Sequence, residues 1–218
     1  MKTKSILGVM VIALSCSNAT SNPEKISTEV IQPNDTDVVF NFDNDEARKL
    51  PLNWTAATST WMIAGDGNNH VMKQAAKNDG DQFNICVEIE QYYQDLEMEV
   101  RIKALKGNED QGGGLVWRYQ DKENYYIARA NPLENNFRLY KVVNGNRKQL
   151  ESAHVKMNRQ EWFTLKVIMI GNHIECSYNG QKLIGYSDDT FHNKGLVGFW
   201  TKADAVLLFD DLKIKDLK

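Results

Sequence analysis

The sequence predicts an all-β domain in which two antiparallel sheets pack face to face. Three observations carry this reading. Short apolar–polar alternations recur from residue 38 to the C-terminus, each bounded by Gly, Asn, Asp or Pro. Two Asn-Gly pairs, Asn144-Gly145 in VVNGNR and Asn179-Gly180 in SYNGQK, separate such runs as tight hairpin turns require. No stretch of useful length keeps a 3.6-residue apolar period. With 218 residues, 42% of them hydrophobic, one large β domain has enough apolar surface for a packed core.

The N-terminal segment reads as an export signal. Lys2 and Lys4 form a positive start, and residues 6–14 form an apolar run too short for a stable membrane span. The segment ends in Ala13-Leu14-Ser15-Cys16, which resembles a bacterial lipobox, so residues 1–16 are expected to be a signal peptide with Cys16 as the lipidated residue. The alternative is an ordinary secretory signal in which Cys16 is incidental. Acyl chains would hold the protein at a membrane surface, each buried methylene adding about 0.8 kcal/mol. By the same resemblance, Ser17 after the cysteine, rather than Asp, is compatible with the outer membrane. Residues 17–36 are polar, with two prolines, and read as a flexible tether; residues 37–218 form the folded domain.

Within that domain, strands are expected near 38–42, 60–64, 70–74, 83–88, 95–105, 113–120, 124–130, 136–143, 147–150, 161–170, 173–178, 181–185, 195–201 and 205–215. Alternation also assigns faces. Val197 and Phe199 are expected to face the core, and Trp200 and Lys202 the other side. Phe209 and Asp211 fall on one side of the last strand, which hints at a bulge or a metal-facing carboxylate. A formal charge of −3 with no basic block excludes nucleic acid as a partner on electrostatic grounds. His70, His154, His173 and His192 are scattered singly, without zinc-type spacing. Cys86 and Cys176 lie in separate apolar runs, either paired in an oxidising compartment or buried as thiols.

The segments GGGLVWRYQDKENYY, NPLENNFRLYKV, EWFTLKV, YNGQKL, GLVGFWTKAD and FDDLKI follow one another as in concanavalin A-like jelly-roll domains of exported bacterial proteins. The group most similar is the family 16 glycoside hydrolase-like or 3-keto-disaccharide hydrolase-like one, and the resemblance spans roughly residues 38–216. It implies a two-sheet jelly roll with a curved face on which relatives bind saccharides. It also implies a possible structural Ca²⁺ near the chain ends, with Asp210, Asp211 and Asp43 (or Asp45) as carboxylate donors. No other cofactor is expected.

Two constellations bear on function. Arg118 and Arg129 lie in adjacent strand runs, followed by Asn131, Glu134, Asn135 and Arg138, with Trp200, Lys202 and Asp204 supplied from FWTKAD. Sugar recognition needs this mixture: planar donors and acceptors for hydroxyls, and an aromatic plate for the apolar ring face. Gly112-Gly113-Gly114 would let a ligand or backbone approach closely. The competing expectation is that the arginines pair with Glu134, Asp110 or Asp204 and only tie strands together. Secondly, Asp95, Glu97 and Glu99 alternate along QDLEMEVR. The resemblance to family 16 glycosidases calls for Glu-x-Asp-x-(x)-Glu, and here the order is Asp-x-Glu-x-Glu. A solvated outer face continued by Arg101 is the stronger reading.

The function expected is therefore a lipid-anchored, exported, non-catalytic carbohydrate-binding domain of the outer membrane or periplasm, with a glycan or cell-envelope polymer as partner. The rival is a hydrolase or lyase acting on a polysaccharide or disaccharide, with Glu134 or Asp204 as acid/base. A structural envelope protein is the third.

Overall fold

The computed structural model describes residues 37–218, and they contain fifteen β-strands and no helix. The eight-stranded sheet runs in the order β13 (Gln181–Ser187), β12 (His173–Tyr178), β11 (Trp162–Ile170), β6 (Leu96–Lys106), β15 (Val206–Asp216), β4 (Asn69–Gln74) and β3 (Trp61–Asp66), with β1 (Val38–Phe40) also paired to β15. The seven-stranded sheet runs in the order β10 (Asn146–His154), β9 (Asn136–Val143), β8 (Asn124–Asn131), β7 (Gly113–Asp121), β14 (Gly195–Lys202), β5 (Phe83–Tyr93) and β2 (Trp54–Thr58). Every pairing is antiparallel, giving the two-sheet jelly roll expected. Strand β2 was not anticipated, because WTAAT lacks the branched and aromatic alternation that marks a strand. The two Asn-Gly turns form as expected, with positive φ at Asn144, Gly145, Asn179 and Gly180.

The core lies between the sheets. Leu115, Trp117, Tyr126, Ala128, Phe137, Leu139, Val197 and Phe199 from the seven-stranded sheet meet Met98, Val100, Leu165, Val167, Leu207 and Phe209 from the other. Phe199 stacks on Phe209 at 4.5 Å and on Trp54 at 4.9 Å between centroids, so aromatic area concentrates at one point. Cys86 on β5 and Cys176 on β12 belong to opposite sheets and are free, buried thiols, so the open pairing resolves as none. Burial pushes both thiols well above their ordinary range.

Two of the bulges that interrupt strict alternation bear on the predicted residues. On β7 the register shifts between Trp117 and Asp121, and Arg118 sits at φ 46°. Trp117 therefore faces the core while Tyr119, two residues on, joins the opposite face. On β15 the register shifts between Asp210 and Lys213, with Asp211 at φ 50°. This is the bulge that the Phe209/Asp211 pattern suggested.

The seven-stranded sheet is curled. Arg147 on β10 and Phe83 on β5 are five strand steps apart, about 24 Å on a flat sheet. Yet the Arg147 guanidinium carbon lies 5.1 Å from the Phe83 ring centroid. Two side chains together span only part of 24 Å, so the sheet bends until its flanks approach. The hollow side is the one turned away from the core.

Candidate functional site

On that hollow side, a second apolar cluster is built wholly from the seven-stranded sheet: Ile85 and Val87 of β5, Val116 and Tyr119 of β7, Tyr125 and Ile127 of β8, Tyr140 and Val142 of β9, and Leu196 and Trp200 of β14. Period-two geometry places all of these but Tyr119 here, and the β7 bulge brings Tyr119 to the same face. Phe83 packs against Trp200 at 5.3 Å. Arg147 reaches over the cluster, its guanidinium carbon 4.7 Å from the Tyr140 ring, 5.1 Å from Phe83 and 5.7 Å from Trp200. Each such contact is worth roughly 0.5–2 kcal/mol depending on desolvation.

Tyr140 is the hub of a ring of arginines. Arg129 lies 5.8 Å from its ring, and Arg138 Nη1 donates to its hydroxyl at 3.4 Å. Two carboxylates serve this ring. Glu134 Oε2 accepts from Arg129 Nη2 and Asn136 Nδ2, each at 2.8 Å, and stands 3.4 Å from Arg138 Nη1. Asp110 stands 3.6 Å from Arg129 Nη1 and accepts from the Gly112 amide and, at 3.0 Å, from Asn131. Among the described residues no carboxylate forms an ion pair with Arg147.

The donors of this face exceed what the protein itself satisfies. Among the described residues, five of the eight buried polar side-chain atoms without a partner lie here: Tyr125 Oη, Arg129 Nε, Arg138 Nε, Arg147 Nη1 and Trp200 Nε1. The Trp200 indole N–H and the Tyr125 hydroxyl adjoin each other without completing a hydrogen bond. Burial pushes the Tyr125 phenol far up, so it keeps its proton and remains a donor. Buried unpaired donors are rare and costly, and each calls for a partner that the protein's own atoms do not supply.

The residues expected to form one site fall into three places. Arg129, Asn131 and Glu134 come together in the arginine ring. Arg118 does not join them: it is 2% exposed and is turned by the β7 bulge toward the sandwich end. There it donates to the carbonyls of Gln94, Phe191 and Gly171 and pairs with Asp95 at 3.3 Å. Trp200 lies on the hollow side, as alternation required, but at 0% exposed it forms a floor beneath Phe83 and Arg147 rather than an open stacking plate. Lys202 pairs with Asp81 at 2.9 Å. Asp204 accepts the amides of Asn108, Glu109 and Asp110, closing the turn before β7, and is occupied as a cap. The glycines accommodate the protein's own chain: a Cβ on Gly112 would come 2.8 Å from Arg129 Cδ, and one on Gly114 1.8 Å from the Ala128 carbonyl oxygen.

The carboxylates expected to hold calcium are spoken for differently. Asp210 accepts from Asn69 at 2.7 Å and from the Asp211 amide, while Arg101 pairs with Asp211 at 2.9 Å and supplies the positive charge. Asp43 accepts from the His70 amide at 3.5 Å. Among the described residues no group of three His, Cys, Asp or Glu side chains is placed to hold a metal ion. Of the acidic ladder, Glu97 and Glu99 stay with Arg101 on the partly exposed face of β6, Glu97 pairing with Lys166, while Asp95 precedes the strand and serves Arg118. Cys16 lies outside the described residues.

Acid–base character separates the two carboxylates of the ring. Burial raises Glu134, but the hydrogen bonds from Asn136 and Arg129 outweigh it and leave its pKa below the ordinary range. Burial raises Asp110 against the opposing charge of Arg129, with a net upward shift. Asp204 is raised by burial and lowered more strongly by its three amide donors. Arg147, Tyr125 and Tyr140 escaped the sequence reading. Their common face is implied by the hairpin at Asn144-Gly145, which sets Arg147 opposite Val142, but curvature is not.

The 3-keto-alpha-glucoside-1,2-lyase-like domain family matches residues 40–215. No curated protein matches the chain. Similar solved structures include the carbohydrate binding module CBM66 from Bacillus subtilis, at 19% identity and a TM-score of 0.67, covering 75% of this chain and 96% of that one. The GH16 protein of the Bacteroides ovatus mixed linkage glucan PUL is similar at 12% identity and a TM-score of 0.60, covering 81% and 99%. The GH43 protein BlXynB from Bacillus licheniformis is similar at 17% identity and a TM-score of 0.60, the alignment covering 81% of this chain but only 39% of that longer protein. At these identities the likeness concerns the fold.

Proposed function

The chain belongs to the 3-keto-alpha-glucoside-1,2-lyase-like domain family, and from that premise we propose that it is an exported carbohydrate-binding domain whose ligand enters the hollow of the seven-stranded sheet. The observation that carries this is the concentration of unpartnered donors there, beside aromatic rings, in a curled sheet. Saccharides present dense oxygen acceptors and apolar ring faces, which that combination suits. Two similar structures, a carbohydrate binding module and a GH16 protein of a mixed linkage glucan PUL, support the substrate class.

Binding without catalysis is the preferred form. Glu134, held by Arg129, Asn136 and Arg138, is too weakly basic to take a proton readily, and Asp204 is engaged by three amides. A second reading, elimination or hydrolysis of a glycoside, is favoured by the family itself and by Asp110, whose raised pKa suits an acid. The intact protein, titrated against a panel of oligosaccharides, is expected to bind at least one. Arg138→Ala should then weaken it roughly tenfold or more, the loss of a hydrogen bond to a charged group. Absence of binding across the panel sinks the proposal. Release of unsaturated or reducing sugar by the native protein, abolished in Asp110→Asn with binding kept, replaces the non-catalytic form.

Anchoring through Cys16 is part of the proposal and rests on the sequence alone. In Cys16→Ala the protein is expected to leave the membrane fraction for the soluble one. A partition identical to wild type would remove the anchor from the account.

A further inference from the structure

Resting on that reading of the hollow, we infer that its ligand is an acidic saccharide, one carrying a carboxylate or sulfate group, and that Arg147 is the residue that selects for the charge. Three guanidiniums surround Tyr140, and the ion pairs within reach account for two of them. Arg129 is met by Asp110 and Glu134, and Arg138 by Glu134. Arg147 is met by aromatic rings, and the carboxylate that feels its charge, Asp81, stands outside ion-pair distance. Rings hold a cation in place without neutralising it, so its positive charge remains available to a partner.

The chemistry of the unpartnered atoms points the same way. Arg129 Nε, Arg138 Nε, Arg147 Nη1 and Trp200 Nε1 can only donate, and Tyr125 Oη keeps its proton. A neutral sugar hydroxyl can accept from these N–H groups but must also place its own hydrogen, for which this face offers few acceptors. A carboxylate or sulfate brings acceptors alone, and the planar guanidinium fork matches either geometry. Arg129 is 2% exposed and Trp200 fully covered, so the donors are built into the floor rather than scattered on the surface. Arg138 and Arg147 are partly exposed, which gives an anion its approach from solvent. Of the other charges near Arg147, Asp81 is already engaged by Lys202. Arg147 stands on β10, next to the strand that carries Tyr140 and Arg138, so its charge is presented at the edge of the same face.

The test is calorimetric titration of the intact protein with galacturonate, glucuronate and mannuronate oligosaccharides, each beside its methyl ester, with sulfated galactan oligosaccharides, and with neutral gluco-, galacto- and manno-oligosaccharides. At least one acidic member is expected to bind ten times or more tightly than its neutral counterpart. Arg147→Gln should reduce that member to the affinity of the neutral form. The uronate and sulfate arms decide which anion is read. Without any substitution, raising the salt concentration should weaken acid binding and leave neutral binding unchanged. Neutral and acidic sugars binding alike, insensitive to salt, would overturn the inference and leave the binding proposal standing. If nothing in the panel binds, both fall.

Discussion

Arg118→Ala is expected to lower the unfolding free energy by roughly 3–5 kcal/mol, the range for removing one partner of a buried ionic network. The guanidinium serves the carbonyls of Gln94, Phe191 and Gly171 and the Asp95 carboxylate, groups from three separate connections at one end of the sandwich. Alanine removes the shared donor from all of them at once, and each acceptor left without a protein partner carries its own penalty. Urea unfolding of the intact protein measures the loss, and its melting temperature should fall by roughly 6–20 °C. Arg118→Lys should recover only a fraction, because an ammonium cannot address acceptors spread around a planar fork. Saccharide affinity, where the native protein shows it, should be unchanged in Arg118→Lys. A loss below 1 kcal/mol in the alanine variant would refute the clamp, and a selective loss of affinity would return Arg118 to the binding site.

The contrast with Arg129 shows what the sequence could and could not disclose. Period-two alternation placed Phe199 in the core and Trp200 on the far side, and the Asn-Gly pairs marked their hairpins, because both follow from local geometry. Arg118 was misplaced by one residue of bulge: the register slips at Trp117, and the side chain leaves the face that alternation assigns. Nothing in WRYQD announces a positive φ at an arginine. Trp200 was assigned to the right side but taken as open, since alternation reports which way a side chain points and is silent on curvature. The curl that brings Arg147 onto Trp200 from four strands away is a property of the whole sheet. The pairing of Arg129 with Glu134 and Asp110, by contrast, was among the alternatives the residues suggested, because all three lie within 25 positions of one another.

The same end of the sandwich should reveal itself in acid. Asp188, in the connection that also carries Phe191, accepts from Tyr126 Oη and Lys141 Nζ, each at 2.7 Å, and from the Thr190 amide at 2.9 Å. Burial raises this carboxyl, but the hydrogen bonds from Lys141, Thr190 and Tyr126 outweigh it and bring it from 3.8 down to about 2. A depressed folded-state pKa stabilises the protein above the unfolded value and loses that contribution as pH falls through the folded value. The window is therefore pH 4 down to about 2, and the contribution is about 2 kcal/mol. Glu134 and Asp204 shift in the same direction, whereas burial raises Asp110, Glu88 and Asp210, which oppose it. The acid limb of the native protein is thus a mixture, and the difference from Asp188→Asn isolates one group. That variant is expected to be less stable by about 2 kcal/mol at neutral pH, with the gap closing toward pH 2. A gap that stays constant with pH would mean that Asp188 contributes through shape and neutral hydrogen bonds, not through its charge. Because Asp188 and Arg118 hold the same connection, the double variant should lose less than the sum of the two, each substitution having already loosened what the other secures.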